Sequence, residues 1–151
     1  MILPHLITTS QNLEYDDCPP EFIYDPTGYA NYVLDKNTTW FIHIPLMQDR
    51  ITFDRINEKR YNIQVYMMAI SELEREAEFY HPIITAMIQE RDKWLLGLDD
   101  IRDSLFRKLT TVLSTPEIIT TYVPQSNAFD VPVTGISFNL PILYNSYEGL
   151  C

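Results

Sequence analysis

The stretch from Arg60 to Leu98 constrains the fold most, because it joins the clearest strand pattern in the chain directly to the clearest helix pattern. In Arg60-Tyr-Asn-Ile-Gln-Val-Tyr-Met-Met-Ala-Ile70, the residues Tyr61, Ile63, Val65, Met67 and Ala69 fall on one side, while Asn62 and Gln64 fall on the other. A period of two, rich in aromatic and β-branched residues, specifies a half-buried strand. From Tyr66 onward the second side also turns apolar, through Met68 and Ile70, so the strand is expected to become buried on both faces. Its length suits a central place in a sheet.

Ser71 ends this pattern and, with Glu74 three residues on, has the form of a capping box. Glu72, Glu74, Glu76 and Glu78 then fall where carboxylates favour a helix start. Leu73, Ala77, Tyr80, Ile84, Met87, Trp94 and Leu98 recur at steps of three and four, with a missed beat at Arg91, as expected of an amphipathic helix with one core-facing stripe. Pro82 leaves two readings: a helix from Ser71 kinked at Pro82, or a helix that starts near Pro82. Gly97 stands where the helix is expected to end.

Elsewhere the pattern is weaker. Met1 to Glu21 carries Pro4, Pro19 and Pro20 and no helical period, so it reads as an extended N-terminal arm. Asp25-Pro-Thr-Gly28 is a turn signal, and Tyr29 to Leu34 reads as a short helical turn. Thr39 to Leu46 is a second strand, with Trp40, Ile42, Ile44 and Leu46 on one face, Phe41 and His43 on the other, and Pro45 marking its end or an edge. A polar connection with a short strand at Arg50 to Phe53 returns the chain, in antiparallel sense, to Arg60–Ile70. Asp99 or Asp100 is expected to cap a second, shorter helix through Ile101, Leu105, Leu109 and Val112. Glu117 to Val123 and Val133 to Leu143 are the remaining strands, with Gly135 allowing a bulge or a close approach. The pattern thus gives four principal strands, the first two antiparallel, two helices, and extended N- and C-terminal arms. No domain boundary is visible, so residues 1–151 are read as a single domain, with an arm at 1–21, a core at 22–143 and a tail at 144–151.

Chemistry is hard to place in this chain. It contains no phosphate-binding glycine loop, no dinucleotide fingerprint, no nucleophile elbow and no zinc-protease helix motif. His5, His43 and His81 are isolated, and only His43, set in an apolar strand, invites a test as a base or ligand. Asp99, Asp100 and Asp103 are read as capping and solvated residues before a cation site. Cys18 follows two aspartates and Cys151 is the final residue, so neither is placed as a nucleophile and both are read as free thiols of a reducing cytoplasm. No catalytic, cofactor-binding or metal-ligating residue is assigned, and no enzyme activity is expected. The net charge of −10 sets bulk electrostatics against nucleic-acid phosphates. No apolar run reaches the roughly 18 residues of a membrane span. The two ends have little of their own to bury, and ordering them costs about 1–2 kcal/mol per residue. Tyr144, Tyr147 and Leu150 of the tail are therefore expected at an oligomer interface.

The order of parts carries a resemblance. Phe22-Ile-Tyr-Asp25 and Asn31-Tyr-Val-Leu-Asp35 lead to Trp40-Phe-Ile-His-Ile-Pro45, then to Tyr61–Ile70, to Met87 with Trp94-Leu-Leu-Gly-Leu98, and to Phe129-Asp130 with Val133-Thr-Gly-Ile-Ser-Phe138. From Phe22 to Leu143 this resembles the small virion proteins of tailed phages related to tail terminators and head–tail connectors, most closely the neck or tail ring proteins of crAss-like phages. The resemblance implies the fold class α+β, a sheet of about four mostly antiparallel strands with helices packed on one face, in a structural subunit of a homo-oligomeric ring, a hexamer or dodecamer, joining head and tail around the DNA exit channel. It implies no cofactor, and as partners other copies of itself, other neck, portal or tail proteins, and passing DNA met only through non-specific repulsion. It places the protein in the virion, after assembly in the host cytoplasm. The chain departs from a usual terminator in having no long helix before Phe22. The competing reading is an acidic, non-catalytic interaction module of inhibitor or immunity type, acting as a monomer or dimer.

Overall fold

Two long strands lie side by side at the centre of a computed structural model that describes residues 2–24, 38–71, 77–104, 109–110, 117–126 and 132–145. In chain order the elements are α1 (Leu3–Ser10), β1 (Glu21–Tyr24), β2 (Trp40–Ile44), β3 (Asp49–Thr52), β4 (Arg55–Ile70), α2 (Ala77–Ser104), β5 (Leu109–Thr110), β6 (Thr120–Ser126) and β7 (Val133–Asn145). The fold is α+β, with a seven-stranded, mostly antiparallel sheet among the described residues. β4 pairs with β7 from Glu58↔Asn145 to Ile70↔Val133, and Tyr61, Ile63, Val65 and Met67 stand opposite Ile142, Leu140, Phe138 and Ile136 on one face.

The outer edges of this pair are each shared by two strands. Along β4, the antiparallel β2 covers Tyr66 to Ala69 while β3 covers Arg55 to Tyr61. Along β7, β6 covers Val133 to Phe138 while β5 covers Leu143 and Tyr144. β1 adds the parallel pair, Glu21↔Phe41 to Tyr24↔Ile44, outside β2. The sheet exceeds the expected four strands because its edges are made of segments two to seven residues long, too short to show a period. Such short edges also limit unwanted strand pairing.

Both helices pack on the same face. Met87, Trp94 and Leu98 of α2 join Trp40, Ile42, Ile44, Ile63, Val65, Met67, Phe138 and Leu140 in one buried cluster. The interruption in the α2 stripe has a physical reason. Glu90 is buried and accepts the Glu14 backbone N–H at 3.3 Å and the Lys93 ammonium at 3.0 Å, and Arg91 donates to the Thr120 hydroxyl at 2.7 Å. These two positions tie the helix to the N-terminal segment and to β6. A smaller cluster of Ile23, Phe41, Met68 and Val133 lies on the opposite face. That is the two-sided burial expected of Arg60–Ile70 beyond Tyr66.

Three expectations are corrected. The N-terminal segment is not an extended arm: Leu3–Ser10 is helical, and Ile2, Leu6 and Leu13 enter the main core. Its start is tolerated because Pro4 lies in the first turn, where no N–H is needed. The Thr9 hydroxyl then accepts the Trp94 indole N–H at 2.9 Å. Second, α2 neither begins at Pro82 nor ends at Gly97. It runs through both, so Asp99 and Asp100 lie inside it rather than capping a new helix. Its 28 residues span about 42 Å, and packing of its apolar stripe outweighs the local cost of proline. Third, Leu109, expected in a helix, is in β5 against Tyr144. The expected tail also starts later, since β7 continues to Asn145. The acidic run Glu72–Glu76, the turn at Asp25–Gly28 and the helical turn at Tyr29–Leu34 lie outside the described residues.

Candidate functional site

The β3–β4 hairpin organises the most distinctive surface. Thr52 pairs with Arg55, which leaves Phe53 and Asp54 as a two-residue loop. Neither has positive φ, so the turn is not of the primed kind that matches strand twist, and a bulge between Arg50 and Thr52 absorbs the difference. Phe53 is 100% exposed at the tip, and Ile51 and Ile56 flank it, more than half exposed. Leu46, in the connection before β3, is exposed as well. Fully displaying a phenylalanine forgoes the roughly 1.5–3 kcal/mol that burial of such a side chain contributes.

Behind the tip lies a groove of about 450 Å³, lined by Arg50, Thr52, Glu58, Arg60, Asn62 and Asn139 among others. Register places Arg50 directly opposite Arg60, with Asn62 facing Pro141 on the same side. This is the face away from the helices, because Tyr61 and Ile63 point the other way into the core. Like charges directly opposed on paired strands repel. Among the described residues no carboxylate lies within ion-pairing distance of either guanidinium. Glu58, the one carboxylate of the groove, lies 3.9 Å from Arg55. Asn139 fixes the groove wall: its Oδ1 accepts the Ile119 N–H at 2.7 Å and its Nδ2 donates to the Glu117 carbonyl at 3.1 Å.

Beside the groove, on the core side, burial first and the Asp49 carboxylate second raise the Tyr61 phenol above its ordinary value, with a further contribution from Tyr24. Burial and then Asp16 raise Tyr15 in the same way.

No protein-family model, no curated protein and no solved structure matches the chain.

The residues singled out from sequence do not gather into one site. Tyr144, expected at an oligomer interface, is buried in its own subunit's core, with its ring 6.2 Å from that of His5. Tyr147 and Leu150 lie outside the described residues, as does Cys151. His43 is buried in β2 and stacks on Tyr66 at 5.9 Å, while His81 is exposed on α2. Neither lines the groove. Cys18 is a half-buried free thiol near the Thr39 hydroxyl. Among the described residues no group of three His, Cys, Asp or Glu side chains converges on a metal-sized site, and no helix is long and apolar enough to cross a membrane. Nothing in the spacing of Arg50 and Arg60 marks them as partners, since their pairing depends on the two-residue loop. The available signal was Ile51-Thr-Phe-Asp-Arg-Ile56, a short apolar alternation around Phe53-Asp54.

Proposed function

We propose that this chain is a structural subunit of a homo-oligomeric ring in the neck or tail of a tailed phage particle, joining head to tail around the DNA exit channel. The observation that carries the self-assembly in this reading is the β3–β4 hairpin, whose tip presents Phe53, Ile51 and Ile56 to solvent beyond a well-packed core. Exposed apolar clusters of this kind mark contacts with other proteins. Reaching arms that dock on identical neighbours suit a closed ring, in which each copy gives one surface and receives another. The location in a phage particle is supported by the resemblance in the order of elements from Phe22 to Leu143. The net charge of −10 fits a channel wall that repels DNA so that it slides. In this reading the protein works without catalysis or cofactor, its partners are its own copies and adjoining neck, portal or tail proteins, and it resides in the virion.

The test is the oligomeric state. Mass photometry and negative-stain microscopy of the purified chain are expected to show closed rings, with Phe53→Ser shifting the population to monomer while the unfolding midpoint in the dilute, dissociated regime stays unchanged. A wild-type chain that stays monomeric at every concentration rejects the ring and leaves the interaction-module reading.

A further inference from the structure

The groove sets the two guanidiniums of Arg50 and Arg60 against a single carboxylate, Glu58, and the same chain displays a pair of carboxylates at its other end. Tyr15 and Cys18 form an isolated antiparallel bridge, and the two residues between them, Asp16 and Asp17, have φ of 54° and 61°. Two successive left-handed residues make a tight turn of the primed kind, which aspartate accepts better than most side chains. Both aspartates are exposed, and among the described residues no cation pairs with either. The turn is held rigidly. The Cys18 carbonyl accepts the Trp40 indole N–H at 2.8 Å, and Tyr15 packs edge-on against Trp40 at 6.4 Å.

Trp40 stands opposite Ala69 in β4, whereas the groove centres on Arg60. Nine residues of strand separate the two, about 30 Å at 3.3 Å per residue. The carboxylate turn and the guanidinium groove therefore lie at opposite ends of the sheet's long axis. They cannot meet within one subunit.

We propose that the Asp16–Asp17 turn of one copy docks in the Arg50/Arg60 groove of the next, making a head-to-tail contact. The inference rests on the self-assembly reading above and specifies its interface. Two guanidiniums can take two carboxylates as charge-assisted, bidentate pairs, the strongest hydrogen bonds available to these side chains. Asn62 flanks that position with its amide, its Oδ1 accepting from Asn139 Nδ2 at 3.4 Å, while Asn139 is held by Ile119 and Glu117. The adjacent hairpin tip, with Phe53, then lies along the same boundary and supplies the apolar area that surface ion pairs lack. Repeated head-to-tail from copy to copy, the contact is heterologous and yields a ring or an open chain of subunits; a reciprocal antiparallel pair would close as a two-fold dimer instead, and the particle mass tells them apart.

The test is a mutant cycle on the full-length chain, read as the apparent dissociation concentration of the assembly by mass photometry. Asp16→Asn with Asp17→Asn removes both charges while keeping a residue suited to left-handed backbone. Arg50→Gln with Arg60→Gln empties the groove. Each pair of changes is expected to raise the dissociation concentration about tenfold or more, and the quadruple variant to raise it no further than either pair. Arg50→Lys with Arg60→Lys, which retains charge and loses the bidentate fork, is expected to fall between wild type and the glutamine variant. The docking is overturned if either charge-removing pair leaves assembly unchanged, or if the two effects multiply in the quadruple variant. Assembly that is lost with Phe53→Ser but indifferent to both charge-removing pairs overturns the docking alone and leaves the ring standing. A wild-type chain that never assembles overturns both.

Discussion

Gly135→Ala places a methyl where the two central strands approach each other closely at a glycine. Gly135 lies in β7 opposite Met68 of β4. A Cβ placed there would fall within the van der Waals envelope of the Met67 carbonyl oxygen, 2.9 Å from the Met68 Cα and 3.0 Å from the Met67 carbonyl carbon. All three atoms belong to the backbone of the central strand, so no side-chain rotation relieves the clash. The strands must separate locally, and overpacking of this kind costs about 1–3 kcal/mol. Separation also weakens ladder hydrogen bonds around Met68, each with a net value of about 1 kcal/mol. The expected loss is about 3–5 kcal/mol, a large share of the roughly 5–15 kcal/mol that holds an ordinary domain together. At about 2–4 °C per kcal/mol for a chain of this size, the melting temperature should fall by about 6–20 °C. Urea unfolding followed by the fluorescence of Trp40 and Trp94, both buried, measures the loss. Protein concentration must be held fixed, because assembly would shift the midpoint. A loss below about 1 kcal/mol, the ordinary cost of an undistinguished substitution, would refute the close-approach argument.

The second central glycine should respond in the opposite sense. Gly97 lies inside α2 with no heavy atom within 4 Å of an added Cβ and without positive φ, so Gly97→Ala should stabilise by about 0.5–1 kcal/mol in the same urea assay. At alkaline pH, Tyr61 should limit stability. Its folded pKa is raised, so its contribution is complete below the unfolded value near 10.0 and is lost as pH rises through the higher folded value. Tyr61→Phe should flatten that alkaline decline, while Asp49→Asn should lower the tyrosinate midpoint in an absorbance titration and leave a smaller upward shift due to burial.

What could be read in the chain beforehand follows from segment length and burial. Arg60–Ile70 and Val133–Leu143 were legible as strands because each has one face wholly within the core, and the turn to two-sided burial at Tyr66 was legible because Met68 and Ile70 break the alternation. The α2 stripe was legible for the same reason. Its limits were not: the local preferences of Pro82, Gly97 and Asp99 are worth at most a few kcal/mol, and a helix packed over its whole length overrides them. α1 was obscured by Pro4 and by a buried face that includes Thr9 and Ser10, residues that carry no hydrophobic signal. The site was least visible. Arg50 and Arg60 are ten positions apart in sequence, and only the turn at Phe53-Asp54 makes them neighbours.

The opposed arginines lead to a prediction in which stability and assembly move in opposite directions. In the isolated subunit Arg50 and Arg60 face each other on paired strands, and like charges so placed destabilise by about 0.2–1 kcal/mol. If their place is kept for an anion arriving from a neighbour, the subunit carries that repulsion until it assembles. Arg60→Gln should then raise the unfolding free energy of the dilute, monomeric chain by a few tenths of a kcal/mol, and at the same time weaken the oligomer. A purely structural arginine would behave otherwise, since its removal would lower stability through lost packing of the aliphatic stem and leave assembly unaffected. Urea unfolding in the dilute regime and mass photometry in the concentrated one separate the two cases on a single variant. A destabilised monomer that assembles like wild type would show that the guanidinium serves its own strand and not the next subunit. Rising salt gives an independent check, because it screens both the repulsion within the subunit and the attraction between subunits. The wild-type monomer should therefore gain slightly in stability with salt under the conditions in which the assembly loosens.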